Sequence, residues 1–584
     1  MTRTAIFRLA SSCVVALAAS LACEAHAATY YVATTGNDST GTGSTNAPWK
    51  TIGRASGELV AGDILEVRAG TYTEQVSLDN GGSAASPVTV RAAAGATVVI
   101  AGRRTTTPHL PTTADQALVQ ITDDYITFSG FEVRDSWGHG IVVDNANGVK
   151  VLDCRVHDNG GEGIMFTAAA AAPIASGTIQ GNTVYQNVQS NAAHATNPPL
   201  HGITLDYANN VQVLNNTVYQ NHHTGLYVNT SAGAVLRGNT IYDNVHHNLY
   251  VDHATGASIA QNRVYCTTGA GYDFQGHRAN GIAVEDGSTS TGHTVMNNLV
   301  RNCANNFSWI NSGDAGTGMK NVVVANNTLV HAELLGMFID TGAHSGSSIV
   351  NNLVLQTATV GDTIDVSTPA TGIGFSHNNW RGGVNPVASP DPPVNPATDV
   401  TADCGLANPS TPDAASFRLG ASSPCVNRGT ASARVTTDYF GTARPQGPAY
   451  DIGAHEVVGA VTPDARVADA APKKDAAIAR DGAVKKDGGV KTDGGPAKDA
   501  AAPSEGGLVG DGAATRDGAP TGDGATPTDG APAGDGQPAG DGGTSEIFGC
   551  HCRVGAEPSS AWAGLGALAL ALALASRARR RRQK

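Results

Sequence analysis

The chain has 584 residues, enough for one large domain with appended segments. Glycine is abundant, at 71 residues, and aromatic residues make up 5%, a balance that suits many tight turns and thin layers rather than a thick globular core. The formal charge of −13 argues against nucleic acid or anionic lipid as the main partner.

The chain opens like a secretory signal. Arg3 and Arg8 precede an apolar run over 13–22, and Ala25-His26-Ala27 has the small-x-small form of a cleavage site. Residues 1–27 are read as the signal peptide, so the protein is expected to be exported. Lipid attachment at Cys23 is the weaker alternative, because Ser20-Leu21-Ala22 fits a lipobox poorly. Export permits disulfides. Seven cysteines follow the signal; Cys404–Cys425 and Cys266–Cys303 are the expected pairs, and Cys154 is expected as a buried free thiol.

Residues 28–110 are read as an N-terminal cap and first coils. Tyr30-Tyr31-Val32 predicts a strand, 51–59 a short helix over the open core, and 62–72 the first coil. Strands follow at 87–91 and 98–100, a loop at 105–117, and a return to strand at 126–133.

Residues 111–399 carry the repeat. Six segments read glycine (once asparagine), apolar, any, apolar, polar: Gly140-Ile141-Val142-Val143-Asp144, Gly163-Ile164-Met165-Phe166-Thr167, Gly202-Ile203-Thr204-Leu205-Asp206, Gly225-Leu226-Tyr227-Val228-Asn229, Asn248-Leu249-Tyr250-Val251-Asp252 and Gly281-Ile282-Ala283-Val284-Glu285. Three of the five steps between them are 23 residues, the others 39 and 33. A recurring period of this size predicts a solenoid, and the alternation predicts strands with one buried face. A second short strand follows each Asn at 182, 216, 239 and 262, with the series continuing at 298, 327, 352 and 379. One coil therefore reads as strand, turn, strand, turn, with stacked asparagines at the turn. Less regular strands are read at 336–340 and 372–376, and the proline-rich 386–396 ends the solenoid.

This pattern resembles the right-handed parallel β-helix of polysaccharide lyases and related carbohydrate-active proteins. The strings YYVATTGND, PWKTIGRA and GDILEVRAGTYTEQV together resemble the N-terminal module of secreted proteins similar to the family 9 pectate lyases. The resemblance implies an all-β solenoid and a polysaccharide as partner. Those relatives use an Asp-rich calcium site with a lysine base. No matching Asp cluster is present here, and Lys150 is the one lysine in the repeats before Lys320.

Residues 400–458 resemble the terminal module that closes many secreted β-helix proteins, and capping of the C-terminal end is expected. From 459 to 547 there is no aromatic residue, and an acid recurs every six residues from Asp469 to Asp541; this predicts a disordered acidic spacer. Residues 548–584 hold Gly549-Cys550-His551-Cys552, an apolar run over 561–575 and an arginine cluster ending at Arg582. The tail resembles myxobacterial C-terminal sorting signals. That implies processing near Cys550 and Cys552, a membrane contact through this short hydrophobic anchor, and a cell-surface or secreted protein.

Two outward columns are expected on the repeated strand: Val142, Met165, Thr204, Tyr227, Tyr250, Ala283, and Asp144, Thr167, Asp206, Asn229, Asp252, Glu285. The glycines are expected to face outward as well. Tyr227 and Tyr250 would form an exposed stacking surface for sugar rings. Asp206, Asp252 and Glu285 could seat a calcium ion if further oxygens join. The corner before this strand carries His139, His201, His222, His223, His246 and His247, and two insertions, 188–200 and 266–279, enter there with His194, Tyr272, His277 and Arg278. Substrate binding is assigned to Tyr227, Tyr250, His201, His222, His246 and Asn229. For β-elimination on an acidic polysaccharide, His223 or His247 is the expected base, Arg278 the carboxylate partner and Tyr250 the acid. The alternative is a non-enzymatic glycan-binding protein or adhesin. A monomer is expected.

Overall fold

The computed structural model describes residues 27–102, 117–194, 199–356, 362–367, 371–382 and 395–459. Residues 1–26 of the expected signal peptide, nearly all of the 105–117 loop, most of 386–396, the acidic linker from 460 and the tail with Cys550 and Cys552 lie outside the described residues.

Among the described residues, the chain winds into a right-handed parallel β-helix of three parallel sheets. Sheet A has 13 strands, from Thr29–Val32 to Ile373–Ser376; sheet B has 12, from Gly70–Tyr72 to Asn379–Arg381; sheet C has 11, from Val76–Leu78 to Asp362–Val366. Each full coil thus has three strands, not two. The strand missing from the sequence reading is that of sheet A, such as Val211–Leu214. It is hidden because one residue turns the chain from sheet A into sheet B. That residue is left-handed in coil after coil: Asp153 (φ 53°), Gly181 (71°), Asn215 (54°), Gly238 (70°), Gln261 (55°) and Asn297 (53°). Asn, Asp and Gly tolerate this conformation best, so a one-residue corner is readable only once its position is known.

The residue after that bend enters a buried ladder. Asn182, Asn216, Asn239, Asn262, Asn298, Asn327 and Asn352 each donate Nδ2 to the next Oδ1 at 2.9–3.1 Å. The ladder continues through Asn378, not Asn379, whose place is the first residue of the following strand. Cys154 holds the same position as a buried free thiol, and its N–H donates to Asn182 Oδ1 at 2.8 Å. A second ladder lines the corner between sheets B and C: Asn159, Asn187, Asn221, Asn244 and Asn248.

The axis is one continuous apolar core. Ile141, Ile164, Ile203, Leu226, Leu249 and Ile282 stack in register within it, each fully buried. Each such side chain contributes about 1.5–3 kcal/mol by leaving water. Helix α1 (Ile52–Ser56) covers the N-terminal end. Thr51 caps it by accepting from Arg54 N–H, and Ile52 and Ala55 enter the core. Among the described residues, no helix is long and apolar enough to cross a membrane.

Two expectations on late coils are corrected. Ile373–Ser376 belongs to sheet A, and Asn305–Asn311 is a sheet C strand the repeat reading passed over. Residues 395–459 do more than close the end. Val400 bridges to Asn379 as a further rung, and Asp399 accepts from Asn378 N–H. The module then folds back along the flank. There the corner residues of four successive coils reach out to its carbonyls: Gln261 to Asp438, Asn297 to Thr437, Asn326 to Asp451 and Asn351 to Thr430, at 2.8–3.1 Å. A buried Arg444–Glu456 ion pair at 2.8 Å holds the module itself, with Asp451 and His455 in structural hydrogen bonds.

Candidate functional site

Sheet C carries the candidate groove. Its central strands are β1 (His201–Asp206), β2 (Thr224–Asn229), β3 (His247–Asp252) and β4 (Asn280–Asp286). Their pairing aligns Thr204, Tyr227, Tyr250 and Ala283 in one column and Asp206, Asn229, Asp252 and Glu285 in the next. A third column, missed in the sequence, precedes the glycines: Glu162, His201, Thr224, His247 and Asn280.

The glycines themselves do not face outward. A Cβ on Gly202 would lie 2.6 Å from Asn221 Nδ2 and 2.6 Å from Gly225 O, and one on Gly225 would lie 2.5 Å from Asn244 Nδ2. The strand curls into the corner there, and the second asparagine ladder takes the space a side chain would need. In β3 that ladder is completed by Asn248 itself, which stands where the other strands have glycine.

Tyr227 and Tyr250 are adjacent, with ring centroids 5.3 Å apart, but they are half-buried rather than fully exposed. Each leans one coil forward. The Tyr227 hydroxyl donates to Asp252 Oδ2 at 2.7 Å, and the Tyr250 hydroxyl donates to Glu285 Oε2. Burial and these neighbouring carboxylates push both phenols well above the ordinary range. Asn229 Nδ2 donates to Asp206 Oδ1 at 2.8 Å. Asp252 also holds His253 Nδ1, which raises the His253 imidazole to about 9, and His253 Nε2 lies 3.5 Å from Asp314. The three carboxylates proposed for calcium therefore hold four separate partners among them, Asn229 on Asp206, Tyr227 and His253 on Asp252, and Tyr250 on Glu285. Among the described residues, no three His, Cys, Asp or Glu side chains are grouped to hold a metal ion.

The histidines form one contact chain against the tyrosines. His201 packs on Tyr227 with centroids 4.1 Å apart and meets His223 Nδ1-to-Nδ1 at 3.2 Å. His223 stacks on His246 at 5.1 Å, His246 on His247 at 4.1 Å, and His247 on Tyr250 at 4.4 Å. Burial holds His223 at about 3 and His246 at about 4, and drives His201 and His247 well below the usual range, so the chain is neutral at pH 7. The burial that keeps these imidazoles neutral also opposes their protonation, so at pH 7 they accept hydrogen bonds more readily than they take up a proton.

Two expected members stand apart. His222 belongs to the insertions: its Nδ1 meets His194 Nε2 at 2.9 Å, and Tyr272 packs on both rings. Residues 188–194 and the 266–279 segment thus touch through His194 and Tyr272 and form a wall, with Phe274 set edge-on against His246. Arg278 turns to the coil beyond. Its Nε donates to Asn302 O at 2.6 Å, and Glu333 is its ion-pair partner at 3.6 Å. The Cys266–Cys303 disulfide anchors the base of this wall, and Asn248 Nδ2 donates to Cys266 Sγ at 3.1 Å. Cys404 is bonded to Cys425 in the C-terminal module.

Sequence reasoning missed Glu162. It is 2% exposed, and its Oε2 accepts from the Thr204 hydroxyl. Burial and the charge of Asp206 push its carboxyl up to about 8. The signal was present in its position directly before Gly163, the place His201 occupies one coil later.

Residues 30–198 match the family model of the Pel9A-like, right handed beta helix region, and residues 178–329 match that of the right handed beta helix region. Among solved structures, a complex of XylC with xylose is similar at 14% identity and TM-score 0.51, covering 74% of this chain and 98% of that one. Pectate lyase Pel9A is similar at 18% identity and TM-score 0.47, covering 74% and 96%. A rhamnogalacturonan lyase is similar at 16% identity and TM-score 0.36, covering 60% and 87%. No curated protein matches the sequence. At these identities the likeness shows the fold alone.

Proposed function

We propose that this is an exported polysaccharide-active protein that holds a glycan along sheet C and cleaves it by acid–base chemistry. The observation that carries the reading is the neutral chain His201–His223–His246–His247, packed on Tyr227 and Tyr250 beside the column Asp206, Asn229, Asp252 and Glu285. Aromatic faces stack on sugar rings, while carboxylates and amides bind hydroxyls. Proton acceptors and donors stand within one strand width of each other. The likeness to polysaccharide lyases in fold, and to the Pel9A-like model over the first coils, supports the substrate class. The signal-like start and the Cys550 and Cys552 tail support export and display at the cell surface.

β-Elimination on a uronate requires a group that neutralises the substrate carboxylate. Arg278, assigned that task from the sequence, is paired with Glu333. A second reading, glycan binding without turnover, is favoured by the Tyr227–Asp252 and Tyr250–Glu285 hydrogen bonds, which occupy both phenols.

The test incubates the purified full chain with uncharged and uronate polysaccharides, with and without calcium, and follows reducing ends and unsaturated ends together. Product of either kind establishes cleavage. Retention without product, read by affinity electrophoresis, establishes a binding protein, and the absence of both product and retention overturns the polysaccharide reading.

A further inference from the structure

Sheet B carries a second outward face, different in kind from that of sheet C. Five of its strands, Arg155–His157, Thr183–Tyr185, Thr217–Tyr219, Thr240–Tyr242 and Arg263–Tyr265, stack in register. The middle residue of each is a core valine or isoleucine, so the first and third residues face outward. One column reads Arg155, Thr183, Thr217, Thr240 and Arg263; the other reads His157, Tyr185, Tyr219, Tyr242 and Tyr265. Four steps of roughly 4.8 Å make a strip roughly 19 Å long.

The four tyrosine rings stack at 4.6–4.9 Å, with planes within 5° of parallel. Their faces are spent on one another, so the strip offers ring edges and a row of phenol hydroxyls. Arg155 takes the Tyr185 hydroxyl; among the described residues, those of Tyr219, Tyr242 and Tyr265 have no partner. Stacking needs the rings alone, and phenylalanine would supply it. Where the C-terminal module covers the same columns they turn largely apolar: Leu299 follows Arg263, and Val330 comes two coils after Tyr265, with Phe417 and Ala454 packed over both. The hydroxyls thus belong to the uncovered coils.

Arg263 closes the strip at the edge of the module. Its Cζ lies 5.8 Å from the Tyr265 ring, and its charge acts on Tyr439 of the module. Among the described residues, the guanidinium has no hydrogen-bond or carboxylate partner. Of its nitrogens Nε alone is enclosed, so the terminal nitrogens reach the surface. Asp243 and Asp413 are near enough to act on Tyr265, but Asp243 is held by Thr267 N–H at 2.6 Å, and neither pairs with Arg263. Sheet C has the opposite balance. Its column carries Asp206, Asp252 and Glu285, and its cations are engaged, His253 with Asp252 and Asp314, and Arg278 with Glu333. An acidic chain would meet like charge there and an uncompensated cation on sheet B. Tyr272, bonded to Gln186, stands at the corner between the two faces.

We propose that this strip of sheet B is a second glycan-binding face, for a uronate-containing polysaccharide, with Arg263 holding a carboxylate and Thr217, Tyr219, Thr240 and Tyr242 holding sugar hydroxyls. The proposal rests on the polysaccharide reading above for the class of its ligand, and on different residues for its place.

The experiment is affinity electrophoresis of the full chain through gels holding polygalacturonate or the same polymer as its methyl ester, at low and high salt. The parent should bind the acid form roughly tenfold more tightly than the ester, and high salt should narrow the difference. Arg263→Gln should bind the acid form roughly tenfold more weakly, and Arg263→Lys should recover part of the loss. Tyr219→Phe with Tyr242→Phe keeps both rings, so the denaturant midpoint should hold while affinity falls roughly fivefold. The Tyr227→Ala and Tyr250→Ala chain, altered on sheet C, should still be retarded by polygalacturonate. A parent that does not prefer the acid form, or Arg263→Gln and double phenylalanine chains that bind it as the parent does, overturn the proposal. Retention lost in the sheet C variant and kept in those chains overturns it and leaves the sheet C reading standing; no retention of any glycan by the parent overturns both.

Discussion

Replacing Asn216 with alanine removes one rung of the ladder that turns sheet A into sheet B. Its Oδ1 accepts from Asn182 N–H at 2.9 Å and Asn182 Nδ2 at 3.0 Å; its Nδ2 donates to Ile179 O at 2.9 Å and Asn239 Oδ1 at 3.1 Å. The site is 1% exposed, so water does not replace the side chain. After truncation Asn182 N–H loses its acceptor. Asn182 Nδ2 keeps Val151 O, and Asn239 Oδ1 keeps the Asn216 backbone N–H. One buried donor left bare costs about 1–3 kcal/mol, and the lost secondary partners bring the expected total to about 3–5 kcal/mol. Asn216→Asp should be worse, since it sets a charged oxygen against Ile179 O and Asn239 Oδ1. In a solenoid the damage stays near the broken rung, so amide exchange at Asn182 should accelerate before that of distant coils. Denaturant unfolding followed by circular dichroism, with exchange mass spectrometry, measures both effects. A loss below about 1 kcal/mol, or an aspartate variant milder than alanine, would refute the reasoning.

Four further outcomes are expected. Replacing Cys266 and Cys303 together with alanine frees a loop of sequence separation 37 and should cost about 4 kcal/mol, read as a lower denaturant midpoint that reductant no longer shifts. His222, His223 and His246 have folded values of about 4, 3 and 4, below the unfolded value of about 6.5, so their contribution is full above pH 6.5 and is lost as pH falls towards 4. Each removes about 1.4 kcal/mol per unit, while Glu162, whose folded value is raised, regains about as much as one histidine loses; urea titrations at pH 7 and pH 5 should differ by a few kcal/mol, and equal midpoints would contradict the burial argument. Gly225→Ala places a Cβ 2.7 Å from Asn248 O and should lower the melting temperature by at least as much as loss of a ladder asparagine, since backbone rather than a side chain must move. Tyr227→Phe removes the hydroxyl bond to Asp252 and keeps the ring, so glycan retention should fall less than in Tyr227→Ala.

The register of sheet C was legible because its signal is repeated: a glycine, two inward apolar residues and a polar end recur with little insertion from Gly202 to Asp252. The Asn305–Asn311 strand escaped because its repeat segment, Asn306-Phe307-Ser308-Trp309-Ile310, ends on an apolar residue and so lacks the polar mark of the pattern. The second ladder had a readable spacing, with Asn187, Asn221 and Asn244 each five residues after a member of the first, yet it fell within what read as a plain turn. The flanking position of residues 395–459 could not be read, since it depends on hydrogen bonds across 79 to 177 residues, such as Gln261 to Asp438. In the groove, residue types at the histidine corner were visible, and contact order was not. His222 and His223 are neighbours in sequence and face different partners, because the corner between sheets B and C passes between them. Arg278 was placed by the loop it sits on, and Glu333, two coils later, decided where it turned.

The central claim is that a glycan lies on sheet C over Tyr227 and Tyr250. The direct measurement is affinity electrophoresis of the full chain through gels holding each polysaccharide, beside a Tyr227→Ala and Tyr250→Ala double variant of matched stability. The account predicts retardation of the parent by at least one glycan and its loss in the variant; a parent and variant retarded equally would place the glycan elsewhere and contradict it.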